Sequence, residues 1–341
     1  HTTFINTLWG VSMYSLKYKF LVIFIIFLGC LGYFSSFFEN TFIKNNNTNI
    51  LSNELLGIEE NILNKFSDKK ITNIALFGLD FRYEHEPKRS DSITIITIDE
   101  QNKKIKLNSI MRDSRVQIDG FGNDKLNHAY AFGGSELAIK TLNKTYGLNI
   151  KDYITVNFYN VEKIIDLIGG VSLDVKKKEI PYLNKCIQEI SHIESKAPTY
   201  ITNEGSQILN GIQTLAYARI RKVGRDDYER SERQQRIFMA LYQKIKSIPY
   251  TEYLRFINMA PELIETSIST SKAISIAKNI IFNKINNIEQ MRFPLDEDCR
   301  GELINNIWYL TFNKDKTKDL MQKYIFEDIH PYGDSEKSNC K

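Results

Sequence analysis

Residues 20–38, FLVIFIIFLGCLGYFSSFF, run for nineteen positions without a charged side chain. At a rise of ~1.5 Å per residue, a helix of that length spans roughly the ~30 Å hydrocarbon core of a bilayer. Burial inside a water-soluble fold would instead demand apolar partners on every side of it. Lys17 and Lys19 precede the run and Glu39 follows it, so the positive-inside bias places the N-terminus in the cytoplasm. No small-residue cleavage signature follows, which favours an uncleaved anchor over a signal peptide. The expected organisation is a cytoplasmic N-terminus (1–19), a transmembrane helix (20–38), a stalk or linker (39–67), an extracellular domain (68–328) and a C-terminal tail (329–341).

Beyond the stalk the hydrophobic period changes. KITNIALFGLD (70–80), DSITIITID (91–99) and KIKLNSI (104–110) carry strand patterns joined by short polar connections, most simply an antiparallel meander. GSELAIKTLNKTYG (134–147) reads as a helix, YITVNF (153–158) as a strand, VEKIIDLIGG (161–170) as a helix closed by glycines, and VSLDV starts another strand. Residues 180–204 are the least regular part. Asn210 can cap a short helix, GIQTLAYA. Later, 271–282 is helical, 306–312 strand-like, and a final helix covers 316–325. The expected fold class is mixed α/β (α+β): a central, largely antiparallel sheet flanked by helices and preceded by one N-terminal transmembrane helix.

Charge and cysteines exclude some functions. The 45 Lys and Arg against 41 Asp and Glu leave a formal charge of +4, too balanced to argue for nucleic acid. No GxGxxG dinucleotide signature is present. The four cysteines form no CxxC pair or zinc spacing. A Cys299–Cys340 bridge is one reading, and the odd thiol left over speaks against it.

Two places concentrate groups that do chemistry. In the meander, Asp80 ends the first strand, Asp91 begins the second and Arg112 follows the third, so alternating strand directions bring all three to one end of the sheet. That arrangement is either a surface ion-pair cluster or a holder for a divalent cation, since carboxylates suit Mg²⁺; Asp113 is a helper or a turn former. The second place is ARIRKVGRDDYERSERQQRIF (218–238), with six arginines and one lysine among four carboxylates. If 217–221 is extended, Arg219 and Arg221 point the same way. A helix from near Asp227 puts Arg230, Gln234, Ile237, Leu241 and Ile245 on one face, with Arg233 beside the first two. Its apolar end packs inward, so its first turns aim guanidinium groups into the fold or a cleft. The acids in the segment neutralise some of them. A ligand with several negative charges, such as a diphosphate, would satisfy the rest bidentately. His128 is either a general base or a hydrogen-bonded structural residue.

NIALFGLD with RSDSITI, LNSIMRDSRVQI, KLNHAYAFGG, VNFYNVEKIIDLIGGVSLDV, LNGIQTLAYARIR and DDYERSERQQ, in this order over residues 70–248, resemble the LytR-CpsA-Psr family of bacterial cell-envelope enzymes. The resemblance implies a membrane-anchored phosphotransferase. Such an enzyme moves an anionic glycopolymer (wall teichoic acid, capsular or another secondary wall polysaccharide) from a polyprenyl-diphosphate carrier to the C6 hydroxyl of N-acetylmuramic acid in peptidoglycan. It implies Asp80 and Asp91 as ligands of Mg²⁺ or Mn²⁺, Arg112, Arg219, Arg221, Arg230 and Gln234 as diphosphate-binding residues, and Arg112, Arg219, Arg221 and Asp227 as catalytic. The implied partners are the lipid-linked glycopolymer, peptidoglycan and the membrane, with no nucleic acid; the implied location is the cell membrane, with the catalytic domain outside. Met111 stands where a proline is common, Glu229 replaces a frequent glycine, and Phe132 a frequent tyrosine; these departures bear on polymer preference. A lipid-diphosphate pyrophosphatase and a non-catalytic, lipid-diphosphate-binding envelope regulator are the alternatives.

Overall fold

A computed structural model describes residues 52–79, 88–220, 223, 227–247, 263–285 and 287–333. The expected transmembrane helix of residues 20–38, and Asp80, Arg221 and Cys340, therefore lie outside the described residues; none of the described helices is long and apolar enough to cross a membrane. Contacts divide the described chain into two compact units, one of residues 52–155, 265–268 and 282–333, the other of residues 156–264 and 269–281.

The first unit is built on a sheet. After α1 (Glu60–Lys65), the strands β1 (Ile71–Leu79), β2 (Ser90–Asp99) and β3 (Lys104–Ile110) form the expected antiparallel meander. The ladder of β1 on β2 shifts register at Gly78/Leu79. Gly78 faces Ser92 so closely that a Cβ there would lie 2.9 Å from the Ser92 Cβ, so the strand ends need glycine to stay paired. A hairpin, β4 (Arg115–Ile118) with β5 (Gly122–Lys125), leads into α2 (Leu126–Tyr146) and then β6 (Asp152–Asn157). The six-stranded sheet has the order β10-β3-β2-β1-β6-β9, with β9 (Glu265–Thr266) and β10 (Asn287–Phe293) arriving from far along the chain. β10 runs parallel to β3, so the sheet is mixed rather than a pure meander. The hairpin β11 (Cys299–Ile304)–β12 (Ile307–Phe312) and helix α8 (Lys314–Glu327) complete the unit. Alternation along the strands sends Ala75, Phe77, Ile93 and Ile95 into one core with Leu126, Ala138, Leu142, Tyr324 and Ile325 of the helices. The helix expected from residue 134 begins earlier, at Leu126. Its φ/ψ values break at Gly133 and Gly134, and the stretch LNHAYAF (126–132), unassigned from the sequence, is the first part of it.

The second unit is mainly helical. α3 (Phe158–Leu167) is capped by Asn157, whose side chain accepts from the Asn160 N–H at 2.7 Å. β7 (Val171–Val175) pairs with β8 (Gly205–Leu209), and between them lies α4 (Ile180–Ile193). Residues 180–193 are thus regular, contrary to expectation. Ile180, Leu183, Ile187 and Ile190 recur at helical spacing, and Pro181 sits in the first turn, where its missing N–H costs no helical bond. α5 (Gly211–Arg219), α6 (Asp227–Ser247) and α7 (Thr270–Phe282) follow. Ile165, Leu173, Leu183, Ile187, Tyr217 and Ile220 form this unit's own core.

Candidate functional site

In the sheet unit, the turn after β3 is held from two sides. The Met111 N–H donates to the Phe293 carbonyl at 2.9 Å, and the Leu310 N–H to the Asp113 carbonyl at 2.9 Å. The turn presents Arg112 to the start of β2: its Nη1 lies 2.9 Å from Asp91 Oδ2, and its Nε donates to Asp113 Oδ2 at 3.1 Å. Lys125 Nζ donates to the other Asp113 oxygen at 2.8 Å. Burial opposes the charge on Asp113, but the Arg112 guanidinium and Lys125 outweigh it and hold its carboxyl below the usual range. Asp91 and Arg112 are thus brought together by strand ends, with side chains 14% and 15% exposed, accessible to a ligand yet fixed.

Asn127 in the first turn of α2 completes this cluster. Its Nδ2 donates to Asp91 Oδ1 at 3.3 Å, and its own Oδ1 is buried without a hydrogen-bond partner. An oxygen acceptor left over beside a carboxylate is the donor type a hard divalent cation takes. No group of three or more His, Cys, Asp and Glu side chains gathers among the described residues; Asp80 lies outside them. Next to it in the chain, His128 Nδ1 lies 2.8 Å from Asp124 Oδ2. Burial opposes the Asp124 charge, but hydrogen bonds from His128 and the Lys125 N–H hold its carboxyl low.

In the helical unit, Asn210 and Gln213 form a reciprocal capping box that starts α5, with bonds of 2.9 and 3.0 Å. The helix continues through Arg219, and the chain becomes extended only at Ile220, with φ −59° and ψ 124°. Arg219 is therefore helical, not part of an extended pair with Arg221. α6 starts at Asp227, whose side chain lies outside the described residues, and buries Arg230 to 4% exposure while leaving Gln234 half-buried. Arg236 Nη1 donates to the Tyr217 hydroxyl at 2.6 Å.

A buried acidic pair in this unit carries no signal in the sequence. Lys196 Nζ lies 2.6 Å from both Glu162 Oε1 and Glu194 Oε2. Burial, then the hydrogen bond shared with Glu194, pushes the Glu162 carboxyl up to about 7. Burial opposes the Glu194 charge too, but Glu162, Lys196 and Arg219 hold that carboxyl low. The α3 backbone presses so closely on the start of α5 that a Cβ on Gly211 would collide with the Glu162 carbonyl. Sequence reasoning also missed Asn127 and Lys125, although both stand in the KLNHAYAFGG stretch, because their partners are 36 and 12 residues away.

Comparison with known proteins bears on this geometry. A model of the LytR_cpsA_psr family matches residues 35–325. A polyisoprenyl-teichoic acid–peptidoglycan teichoic acid transferase, TagU of Bacillus mycoides (strain KBAB4), is 30% identical over 262 residues, covering 76% of this chain and 79% of the relative. Among solved structures, TagT bound to LI-WTA matches with a TM-score of 0.60 at 26% identity, over 76% of this chain and 92% of that one. The LytR-CPS2A-psr family protein YwtF (TagT) with bound octaprenyl pyrophosphate lipid matches with a TM-score of 0.56 at 24% identity, over 75% and 90%, a likeness of fold.

Proposed function

The chain belongs to the LytR-CpsA-Psr family, and from that premise we propose that it is a phosphotransferase joining an anionic glycopolymer, carried on a polyprenyl diphosphate, to peptidoglycan. The observation that carries the reading is the Asp91–Arg112–Asp113–Lys125 cluster with Asn127. It sets a guanidinium and an ammonium beside carboxylate and amide oxygens at one end of the sheet, a mixture suited to a diphosphate and its counter-cation. Wall teichoic acid is the polymer favoured by the TagU relative; capsular or other secondary wall polymers fit the same chemistry.

The acceptor hydroxyl of the muramic acid residue attacks the phosphorus attached to the polymer's first sugar. The bond from that phosphorus to the bridging oxygen breaks, and polyprenyl phosphate leaves. Arg112, Arg219, Arg221 and Arg230 bind the phosphoryl oxygens, with Gln234 as a further donor, and stabilise the charge that accumulates as the bond breaks. A divalent cation such as Mg²⁺ or Mn²⁺ supplies Lewis-acid neutralisation of the diphosphate when bound. Asp80 and Asp91 would be its carboxylate ligands, and the unsatisfied Asn127 Oδ1 supports an oxygen site beside Asp91. Asp227 polarises the attacking hydroxyl and takes up the proton it releases as the new bond forms. Residues 20–38 anchor the protein, N-terminus in the cytoplasm and catalytic part outside, which keeps the site near a substrate that stays in the bilayer.

The test supplies purified full-length protein in detergent with a short polyprenyl-diphosphate-linked saccharide, peptidoglycan fragments and Mg²⁺. The expected products are a sugar phosphate covalently joined to the glycan and free polyprenyl phosphate. Release of lipid phosphate at the same rate without acceptor identifies a pyrophosphatase, and binding without release identifies a non-catalytic binder. Asp91→Ala is expected to weaken the divalent-metal dependence; an unchanged metal titration removes Asp91 from the site.

A further inference from the structure

In the sheet unit, Trp308 stands on β12 opposite Leu303 of β11, with 39% of its surface open to solvent. Its place is fixed from two sides. It lies two residues before Leu310, whose N–H donates to the Asp113 carbonyl at 2.9 Å. The strand that carries the ring is therefore bonded to the turn that carries Arg112 and Asp113. Residues two apart share a face of a strand; Leu310 is buried, so that face leaves the core between the two positions. The ring also lies against Gly301, where a Cβ would come within 2.9 Å of the indole Cζ2 and Nε1 and 3.1 Å of Cε2. Glycine at that position lets the indole rest on the hairpin backbone. At its border is Lys125, whose Nζ lies 5.9 Å from the ring centroid and donates to Asp113 Oδ1 at 2.8 Å. One ammonium thus borders both the strand-end cluster and an exposed aromatic ring.

We propose that Trp308 is a sugar-stacking platform for the acceptor: a pyranose ring of the peptidoglycan glycan strand lies on the indole, beside the cluster where the phosphate is transferred. This rests on the functional reading above. The C–H bonds on one face of a pyranose carry partial positive charge and meet the negative face of an aromatic ring, while the sugar's hydroxyls stay in water at the rim. Lys125, with donors beyond the one given to Asp113, supplies a hydrogen bond to a sugar oxygen there. Charge narrows the occupant. Arg300 and Glu302 are the charged residues of 299–312, and they pair with each other, so the hairpin is electrically neutral. A neutral platform suits an uncharged sugar ring and offers no set of cations to hold a polyanionic donor polymer. A bilayer fits less well. The hairpin turns through Asn305 and Asn306, both exposed and both at positive φ. Two amides therefore lead at the tip, and no basic face is there to meet anionic headgroups. Trp308 binds and orients, and no bond forms or breaks on it.

The chain has two tryptophans, Trp9 and Trp308, so in a Trp9→Phe background the indole emission comes from the platform alone. The full chain in that background, held in phosphatidylcholine nanodiscs, is titrated with uncross-linked peptidoglycan glycan strands. The strands are expected to shift or quench the emission saturably, and nanodiscs of brominated lipid to leave it unchanged. Turnover with a polyprenyl-diphosphate saccharide, the same strands and Mg²⁺ then gives kcat and a KM for each substrate. Trp308→Ala is expected to raise the acceptor KM roughly tenfold, with kcat and donor KM within about twofold. Trp308→Phe keeps a ring and should lose less. Gly301→Val displaces the indole without removing it and should raise the acceptor KM severalfold. Phe282→Ala, which removes a ring 79% exposed at the end of α7, should keep wild-type kinetics. Unchanged emission with glycan strands, or a wild-type acceptor KM in folded Trp308→Ala, overturns the proposal alone. So does a rise confined to the donor KM, which puts the ring under the donor's first sugar, or quenching by brominated lipid, which puts it in the bilayer. Wild-type protein that transfers nothing overturns the functional reading, and the emission titration then decides the glycan site by itself.

Discussion

Arg112 in the sheet unit and Arg233 in the helical unit are both arginines bonded to two carboxylates, and they do opposite jobs. Arg112 spends its bonds on Asp91 and Asp113 and keeps its side chain 15% exposed. Arg233 is 0% exposed and divides its donors between two carboxylates and two main-chain carbonyls. A guanidinium paired at a strand end is held ready yet open to exchange partners with an incoming anion. One that grips carbonyls inside a core has become part of the scaffold. Bonding to acids therefore does not separate a ligand-binding arginine from a structural one; the grip on main-chain carbonyls is what marks Arg233 as scaffold.

The widest separation between the two is expected in catalysis. Arg112→Ala should lower turnover about 10²–10³-fold and leave the melting temperature close to wild type, measured as initial rates alongside a thermal scan. Turnover within threefold of wild type would erase the distinction. Stability should show the reverse order. Arg233→Met leaves Glu179 and two carbonyls without their donor and is expected to cost the helical unit about 3–5 kcal/mol, against about 1 kcal/mol for Arg112→Met in the sheet unit. Denaturant titrations of both variants check this, and similar losses would contradict it.

The smallest effect concerns pH, and it differs in sign between the units. The Glu162 carboxyl of the helical unit is raised to about 7 from 4.5, so the folded unit holds more protons than the unfolded chain in that window. Its stability falls as pH rises from about 4.5 through 7. Asp113 and Asp124 of the sheet unit are held below their usual value of 3.8; the stability they lend is present above that value and lost as pH falls through their lower folded values. Glu162→Gln should remove the first trend, a shift of about 2–5 °C in melting between pH 5 and 7.5, and leave the acid limb intact. Parallel pH profiles for the two units would show that the acidic pair and the strand-end cluster do not differ in this way.

Much of the sheet unit was legible because its signals are local. Period-two alternation marks β1 to β3, and counting strand directions is enough to place Asp91 near Arg112. The parallel strand β10 was not legible: NIEQMRF alternates weakly, and what makes it a strand is an open edge of β3 about 180 residues earlier. α4 was passed over because Pro181 and a run of polar residues hid Leu183, Ile187 and Ile190, a spacing that could have been read. The partners of Arg233 could not have been, since a side chain near Arg230 and Gln234 on a helical wheel gives no hint of the Ile220 and Val223 carbonyls. Glu162 and Glu194 lie 32 positions apart in sequence with nothing polar to announce the pair; only the packing of α3 against α5 brings the first of them inside.

The β10–β3 pairing also governs when the protein can begin to act. The Phe293 carbonyl receives the Met111 N–H, and the Leu310 N–H reaches the Asp113 carbonyl, so the loop bearing Arg112 takes its shape from residues made long after it. A growing polypeptide emerges from its N-terminal end and settles local contacts first. Until synthesis has passed Leu310 and both contacts have docked, the loop bearing Arg112 lacks these two backbone supports.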